Sequence, residues 1–500
     1  MFRAPLGTFV LTTCILFSAA ACRAETRTWK DETGQFEVSA EMLEAADGIV
    51  KLRTDDGREL SVPLLRLSSD DRRYVREELR RRREAGTSGT AAVLASPSTS
   101  AAAGDWPQWR GPARTGVSEE TGLLDSWPEE GPPLLWSARG LGNGYSSLAV
   151  VGDRIFTCGK TGEGAQILCL SRKDGSRIWA ASLGDRQDPN GTPTVADGRV
   201  YAVSKDGNLV CAAADSGEVV WRKNFGSDFG GKIMSDWGYS ESPLVDQGRL
   251  ICTPGSKDAA LAALDPATGR TLWVTPLPSD TGNRGRDGAG YASVVVSEAC
   301  GVRQYVQLIG RGLIGAKADS GELLWGYNKV ANDTANIPTA LVSGDFIFSS
   351  TGYSTGAALL KIEKQGRGLL PREVYFLDAN QLQNHHGGMI LLGDYMYCGH
   401  GHNNGLPVCL HVPSGKAAWG PIRGAGSDSA AVVFADGHLY FRYQNGIMAL
   451  VEANPKEYRL KGSFRIATRN GESWPHPVVA GGRLYLRDQD ELHCYDVRKQ

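Results

Sequence analysis

A short motif that ends in tryptophan recurs after residue 105 and constrains the fold more than any other feature of the sequence. A turn containing glycine comes first, three residues follow, and the tryptophan closes the motif. Five copies end at Trp179, Trp221, Trp273, Trp325 and Trp419. Successive tryptophans are separated by 42, 52, 52 and 94 residues. The last spacing fits two units, with a degenerate unit that ends near Tyr375.

A second pattern precedes each tryptophan and indicates a β-hairpin. Apolar strands flank turn pairs such as Asp197-Gly198 and Gln247-Gly248, in which glycine accepts the positive φ of a tight turn. Units of about 40–50 residues with four strands each are typical of a β-propeller. The sequence therefore predicts an all-β, eight-bladed β-propeller over residues 105–500. The blades are expected to end near residues 136, 179, 221, 273, 325, 376, 419 and 460.

The last unit shows how the predicted ring would close. Residues 477–497 supply only three strands and no tryptophan, so the strand at Leu134–Trp136 is expected to complete this blade. A ring of six or seven blades, with one segment misassigned, is the alternative. Packing between neighbouring blades explains the tryptophans of the outermost strands, because each repeat buries its apolar face only against its neighbours. These structural residues are Trp136, Trp179, Trp221, Trp273, Trp325 and Trp419.

The N-terminus has the order of an export signal. Arg3 is followed by a mostly apolar stretch and then by the small residues that precede a cleavage site, so residues 1–24 are predicted to be a signal peptide. Cleavage after Ala24 would release a protein into the periplasm or cell envelope. Cleavage before Cys22 would instead leave a lipid-anchored cysteine. No other stretch is long and apolar enough to predict a membrane-spanning helix.

Residues 26–84 predict a small β module, and residues 85–104 predict a flexible linker. Strands alternate there with turns such as Asp47-Gly48, and Ser68 with Asp71 predicts the start of a helix. Arg80–Arg83 is interpreted as the solvated end of that helix, with docking to an anionic surface as the alternative. The linker is rich in glycine, serine, threonine, alanine and proline.

Charge and cysteine content exclude some classes of function. The formal net charge is −2, so the chain as a whole lacks the positive charge that attracts nucleic acid. The pairs Cys158/Cys169 and Cys398/Cys409 could face each other across hairpins, but buried free thiols are the preferred interpretation. The glycines of residues 159–164 lack the strand-to-helix context of a nucleotide-binding loop.

Three motifs resemble known families. The copy at Leu264–Trp273 resembles the repeat of pyrroloquinoline-quinone (PQQ) propellers, and Trp106–Pro112 looks like the start of quinoprotein-like or BamB-like propellers, common in planctomycete-type bacteria. Trp29–Asp31, Gly34–Phe36 and Val62–Leu64 resemble the Sla-homology domain of endocytic adaptors, which implies an SH3-like barrel.

Enzymes of the PQQ family hold a flat tri-anionic cofactor with Ca²⁺, basic side chains, an aromatic floor and an aspartate base. They also carry two adjacent cysteines as a disulfide over the ring. This chain has no Cys-Cys dipeptide, and no region clearly supplies the calcium ligands. We therefore expect no cofactor and a non-catalytic scaffold that binds protein partners of the cell envelope. A dehydrogenase that uses PQQ with Ca²⁺ to oxidise alcohols or sugars is the alternative.

Residues just before the innermost strands of a propeller converge on one mouth of its central channel. The candidate ligand residues chosen on this ground are Tyr145, Asp236, Trp237, Tyr239, Glu241, Tyr291, His385, His386, Asp428, Trp474 and His476. Capping of strand ends is the alternative role for them. His400 and His402 share one face if extended, which makes them weak metal candidates, whereas the adjacent His385 and His386 would point apart. No metal site is predicted.

Overall fold

The computed structural model describes residues 26–31, 37–46, 49–54, 56–63, 66–68, 70–75, 78, 102, 104–278, 282–366, 368–467 and 471–499. The predicted signal peptide with Cys22, the Arg80–Arg83 run and most of the predicted linker lie outside these residues. The chain divides into two compact units, Met1–Leu94 and Ala95–Gln500, and each is described by itself.

The first unit contains a four-stranded antiparallel meander. Its strands, in the order β1-β2-β3-β4, are β1 (Thr26–Lys30), β2 (Glu37–Ala46), β3 (Ile49–Thr54) and β4 (Glu59–Pro63). Apolar residues alternate along β3, so that Val50 and Leu52 are buried. Trp29 is fully buried in the same core and donates its indole N–H to the Ala40 carbonyl at 2.9 Å.

A short helix, α1 (residues 70–75), follows the meander. Ser68 begins it as predicted, because the Ser68 Oγ accepts the Asp71 backbone N–H at 3.2 Å. The buried Asp71 carboxylate accepts the Lys30 backbone N–H at 2.8 Å and an Arg27 N–H at 2.6 Å. These bonds fix the start of the helix against the end of β1.

The described residues of the second unit form eight four-stranded antiparallel sheets, numbered here in chain order. Sheet 1 consists of β6 (Ala149–Val151), β7 (Arg154–Thr161), β8 (Gly164–Ser171) and β9 (Arg177–Ser182), and sheet 2 of β10 (Thr194–Ala196), β11 (Arg199–Val203), β12 (Asn208–Ala213) and β13 (Val219–Asn224). Sheet 3 consists of β14 (Leu244–Asp246), β15 (Arg249–Cys252), β16 (Leu261–Leu264) and β17 (Thr271–Thr275), and sheet 4 of β18 (Val295–Ser297), β19 (Gln304–Ile309), β20 (Gly312–Lys317) and β21 (Leu323–Tyr327). A short helix, α2 (Phe225–Phe229), follows β13.

Sheets 5 to 8 continue the same order. Sheet 5 consists of β22 (Leu341–Ser343), β23 (Phe346–Thr351), β24 (Gly356–Gln365) and β25 (Gly368–Leu377), and sheet 6 of β26 (Met389–Leu392), β27 (Tyr395–His400), β28 (Leu406–His411) and β29 (Lys416–Trp419). Sheet 7 consists of β30 (Ala430–Ala435), β31 (His438–Tyr443), β32 (Ile447–Glu452) and β33 (Leu460–Arg465), and sheet 8 of β34 (Val478–Ala480), β35 (Arg483–Asp488), β36 (Glu491–Asp496) and β5 (Leu134–Ala138).

Sheet 8 closes the ring as the sequence predicts. Its outer strand is β5, which pairs antiparallel with β36 so that Trp136 lies opposite Cys494. Apolar clusters join sheets 1 and 2, 2 and 3, 3 and 4, 4 and 5, 5 and 6, and 6 and 7. A further cluster contains residues of sheets 7, 8 and 1. Each sheet therefore buries both faces against its two neighbours, which is the architecture of a β-propeller.

The repeat motif forms part of these interfaces. The turn glycine of one sheet packs against the tryptophan of the preceding sheet, and a Cβ on Gly217 would lie 2.6 Å from the Trp179 ring. Trp179 also donates its indole N–H to the Ala214 carbonyl of the next sheet at 3.2 Å. The corresponding glycine–aromatic pairs are Gly175 with Trp136, Gly269 with Trp221, Gly321 with Trp273, and Gly415 with Tyr375.

Trp325 and Trp419 are not among these pairs with a glycine of the next sheet. Trp325 lies in the cluster between sheets 4 and 5 and donates its indole N–H to Gln304 of its own sheet at 2.5 Å. Trp419 donates its indole N–H across to the Asn454 carbonyl at 2.7 Å. All six tryptophans thus lie at the outer strands, where neighbouring sheets meet.

Residues 104–127, called here the channel segment, contact several sheets in turn. Pro107 accepts the Val195 N–H of sheet 2, and Gly116 and Ser118 exchange backbone bonds with Phe434 of sheet 7. Arg110 and Arg114 are both buried and bond to backbone carbonyls near sheets 6 and 3. The segment therefore links strands that are far apart in sequence.

The eight cysteines that the structure describes are free thiols. Cys158 lies opposite Ile167 in the β7–β8 hairpin, while Cys169 lies opposite Phe156. Cys398 lies opposite Val408, next to Cys409. Residues two apart on a strand share a face, so Cys158 and Cys169 lie on the same face of their sheet in diagonal rather than directly opposed positions. Cys398 and Cys409 lie on opposite faces of theirs. Within the described residues, no helix is long and apolar enough to cross a membrane.

Candidate functional site

A cavity of about 370 Å³ lies where the segments that precede the innermost strands of the propeller meet. Most of its lining comes from residues immediately before β6, β10, β14, β18, β22, β26 and β34. The lining residues are Trp109, Tyr145, Asn190, Trp237, Ser240, Ser242, Tyr291, Ser293, Ala335, Ile337, Thr339, Tyr353, His385, His386, Gly387, His402, Asn403, Gln444, Trp474 and His476. Segments distant in sequence thus form one site.

Seven of the residues chosen from the sequence line this cavity. They are Tyr145, Trp237, Tyr291, His385, His386, Trp474 and His476. Four others are not among the lining residues, namely Asp236, Tyr239, Glu241 and Asp428. Asp236, Tyr239 and Glu241 each stand next to a lining residue, but their own side chains take another direction.

The positions of these four residues show where they act instead. Asp236 is exposed beside a separate depression that contains Lys205 and Lys232. Tyr239 packs edge-on against Phe225 and donates its hydroxyl to the Pro254 carbonyl at 3.0 Å.

Glu241 is buried and accepts the Thr253 N–H at 2.6 Å. Burial raises the pKa of this carboxyl to about 7, against the opposing effect of the Thr253 hydrogen bond and the Arg114 charge. Asp428 lies in a turn at a φ of 65° and accepts the Ser427 hydroxyl at 2.9 Å.

Aromatic rings form a continuous band along the cavity. Trp474 lies at its centre, with ring centroids 4.6 Å from Tyr145, 5.6 Å from Trp237 and 4.7 Å from His386. The tilted and edge-on arrangements are those that aromatic quadrupoles favour. The Trp237 side chain is 47% exposed and forms the outer lip. Rings therefore extend from solvent into the channel.

The band continues through histidines. His385 and His386 stack with centroids 4.1 Å apart and planes at 22°, so the expectation that they point apart was wrong. The chain bends at these residues instead of extending. His385 is bonded on both sides, to the Ser429 hydroxyl at 2.7 Å and the Tyr353 hydroxyl at 3.1 Å.

These histidines are held in the neutral form. Burial lowers the pKa of His385 to about 4 and that of His476 to about 3, and it lowers the pKa of His386 well below its usual value. Neighbouring positive charge adds to the effect, from His402 on His385 and from Arg110 on His476. At neutral pH the imidazoles are therefore uncharged donors and acceptors.

The two weak metal candidates are separated. His400 ends β27, where its Nδ1 faces the Gln383 backbone N–H at 3.3 Å. His402 lies past a bend and joins the cavity, with its ring 4.5 Å from His385 and 4.3 Å from Tyr353. No group of three or more His, Cys, Asp or Glu residues suited to a metal ion occurs in the described part of the chain.

The floor of the cavity contains a residue of the channel segment. The Trp109 ring lies 4.4 Å from His476, and its indole N–H points to the Thr339 hydroxyl at 3.4 Å. Trp109 belongs to the Trp106–Pro112 motif, but its place in the cavity could not be read from the sequence, because the motif precedes the first blade. Tyr353, Asn190 and Gln444 were also missed, and only the φ of 55° at Tyr353 marks an unusual position.

The lining does not fit a tri-anionic quinone with Ca²⁺. None of the described residues that line the cavity is Asp, Glu, Lys or Arg. A trianion buried there would lack cationic partners, and Ca²⁺ would lack the carboxylate oxygens it prefers. Among the lining residues that the structure describes, the aromatic floor is the one feature of such a site that is present.

Comparison with known proteins agrees with this fold. The profile of the family described as outer membrane protein assembly factor BamB, a PQQ-repeat family, matches residues 132–224 and 163–421, together more than half of the chain. This chain belongs to that family. The profile of SLA1 homology domain 1 matches residues 19–83, which contain the described β meander.

Individual relatives include enzymes and assembly factors. The chain is 27% identical over 149 residues to the quinoprotein ethanol dehydrogenase of Pseudomonas putida, covering 27% of this chain and 23% of that protein. It is 29% identical over 238 residues to the outer membrane protein assembly factor BamB of Burkholderia pseudomallei (strain K96243), covering 44% of this chain and 54% of that protein. The chain thus spans about half or less of these relatives.

Solved structures share the propeller fold at low identity. The quinohemoprotein alcohol dehydrogenase from Comamonas testosteroni superposes with a TM-score of 0.55 at 13% identity, covering 79% of this chain and 81% of that chain. A europium-containing methanol dehydrogenase gives a TM-score of 0.54 at 13% identity, covering 77% and 89%. At these identities the likeness concerns the fold alone.

Proposed function

We propose that this chain is a non-catalytic binding protein of the cell envelope, in which the propeller holds a ligand in its channel-mouth cavity. The observation that carries the proposal is the composition of that cavity. Its lining combines aromatic rings with neutral hydroxyl, amide and imidazole groups, and it includes no Asp, Glu, Lys or Arg among the described residues. Such a lining suits binding and orientation of a neutral group.

The same composition argues against the alternative of a PQQ-dependent dehydrogenase. Proton abstraction from an alcohol needs a base in contact with the substrate. Among the carboxylates chosen from the sequence, Glu241 is buried outside the cavity lining and accepts the Thr253 N–H. The imidazoles of His386 and His476 belong to the lining, but burial keeps their pKa values low, so they are weak bases.

Location in the envelope and protein partners are part of the proposal. The export signal predicted for residues 1–24 supports them, together with membership of a family that is named for outer membrane protein assembly. Cys22 would provide a lipid anchor if cleavage precedes it. A Cys22→Ala variant expressed in the native cell should move from the membrane fraction to the periplasm in that case, whereas an unchanged soluble fraction would indicate cleavage after Ala24.

Quinone uptake tests the non-catalytic assignment. The purified chain is incubated with PQQ and Ca²⁺, and the bound chromophore and dye reduction by alcohols or sugars are measured. The quinoprotein ethanol dehydrogenase, prepared without its cofactor, is the positive control. We expect no stoichiometric absorbance and no turnover from this chain. Stoichiometric PQQ binding with dye reduction would overturn the proposed function.

A further inference from the structure

The geometry points to an uncharged pyranose sugar as the ligand of the channel-mouth cavity. This inference rests on the proposed function, since it names the ligand class of the same cavity. Three features carry it: an aromatic surface, neutral hydrogen-bonding groups left free at its edge, and the exclusion of charge.

The aromatic band offers the surface that a pyranose needs. A pyranose ring carries axial C–H bonds on its faces, and these pack on the electron-rich faces of indole and phenol rings. Trp237, Trp474 and Tyr145 provide such rings within 4.6–6.5 Å of one another. Because Trp237 is 47% exposed, ring surface is already present at the lip without rearrangement.

Amide groups at the edge of this band have hydrogen-bonding capacity left. The Gln444 side-chain oxygen accepts the Trp474 indole N–H at 2.8 Å, and its NH₂ group makes no hydrogen bond within the described chain. The Asn190 NH₂ donates to the Trp237 carbonyl at 3.1 Å and to the Ser240 hydroxyl at 3.0 Å. Its amide oxygen has no hydrogen-bond partner among the described residues.

Each of these two amides is thus fixed in orientation by the aromatic band while one polar end is free. A sugar hydroxyl both donates and accepts hydrogen bonds, so a single class of ligand group can satisfy a free NH₂ and a free carbonyl oxygen. Deeper in the cavity, His476 is 6% exposed, and its Nδ1 is buried without a hydrogen-bond partner in the described chain. A purely apolar ligand would leave these groups unsatisfied.

Charge selects against the other common polar ligands. A phosphate or carboxylate would be desolvated without a cationic partner among the described lining residues, and an amine would meet no carboxylate among them. The cavity volume of about 370 Å³ is at the small end of the range for small-molecule sites, about 300–1,000 Å³. The site therefore fits a terminal sugar unit of an uncharged glycan better than a long charged polymer.

Titration of the full chain with neutral tetrasaccharides tests this inference. The probes are the tetramers of glucose, mannose, galactose and N-acetylglucosamine, and tetragalacturonate is the charged counterpart. Binding is measured by isothermal titration calorimetry and by quenching of tryptophan fluorescence. We expect saturable binding of at least one neutral tetramer and at least about tenfold weaker binding of tetragalacturonate.

Two variants assign the binding to the cavity. Trp237→Ala removes exposed ring surface and Gln444→Ala removes the free NH₂, so each should weaken binding at least about tenfold. Leu460→Ala, at a side chain 45% exposed on β33 outside the cavity lining, is the matched control and should bind normally. Circular dichroism checks that each variant is folded.

The inference falls if no neutral tetramer binds, if tetragalacturonate binds equally well, or if Trp237→Ala binds as tightly as Leu460→Ala. Binding of the peptide Gly-Trp-Gly in place of every sugar would also overturn it. These results leave the proposed function intact as long as PQQ is not taken up. Uptake of PQQ with Ca²⁺ would overturn both.

Discussion

Replacing Arg110 by methionine should destabilise the propeller. The side chain is 4% exposed and lies in the channel segment, beside the Trp109 that forms the cavity floor. It donates to the Gly387 carbonyl at 2.9 Å, to the Thr115 carbonyl at 2.7 Å and to the Met389 carbonyl. Methionine keeps most of the length of the side chain and removes every one of these donors.

The size of the effect follows from two opposing terms. Hydrogen bonds from a charged donor contribute about 1.5–3 kcal/mol each, and all three acceptors are backbone carbonyls that the substitution leaves in place. Burial of the guanidinium opposes this, since it lowers the pKa of Arg110 to about 10 from 12.5, an unfavourable term of about 3 kcal/mol. The net loss in the free energy of unfolding is therefore expected to be about 2–5 kcal/mol.

Urea denaturation followed by circular dichroism measures this loss. Because the chain has two compact units, the shift is taken from the transition that belongs to the larger one. Arg177→Met, at an exposed arginine of β9, is the matched control and should change stability by less than about 0.5 kcal/mol. Equal midpoints for the two variants would refute the reasoning that Arg110 holds the channel segment to the ring.

Three further predictions follow from packing and burial. In thermal unfolding, Gly217→Ala should destabilise the protein by about 1–3 kcal/mol more than Gly198→Ala. Both glycines have a positive φ, but only at position 217 would the added Cβ meet the Trp179 ring, and equal losses of stability would contradict this. Between pH 4.5 and 7 the free energy of unfolding of the wild type should fall by about 3 kcal/mol more than that of Glu241→Gln. Burial raises the pKa of Glu241 to about 7, so the native state binds more protons than the unfolded chain in this range. Parallel pH profiles of the two proteins would contradict this. Below pH 6.5 the stability of the wild type should fall more steeply than that of His476→Gln, because the low pKa of His476 makes the native state bind fewer protons than the unfolded chain. Identical loss of stability in acid for the two proteins would refute the conclusion that His476 is held neutral by burial.

The repeat allowed the fold to be predicted because one local motif has one packing role. Trp179, Trp221 and Trp273 each follow a turn glycine, and each packs against the glycine of the next sheet. The contact is made between nearest neighbours along the chain, so a periodic sequence contains it. The same reasoning placed β5 in sheet 8, because a three-stranded unit at the C-terminus requires a strand from elsewhere.

The site was predicted less completely because side-chain direction depends on tertiary contacts. Trp474 and His476 precede an innermost strand and line the cavity, but position in the sequence could not show that Glu241 turns to the Thr253 N–H. Trp109 reaches the cavity only because the channel segment bonds to several sheets, and no periodicity marks such a path. The stacking of His385 on His386 likewise depends on a bend that residue order does not specify.

The most direct test of the account is a crystal structure of the full chain grown with both a neutral tetrasaccharide that binds in solution and PQQ with Ca²⁺. We predict density for a sugar ring packed on Trp474 and Trp237, with the Gln444 amide at a hydroxyl group. A planar tricyclic ligand with a coordinated cation in the same cavity would contradict it.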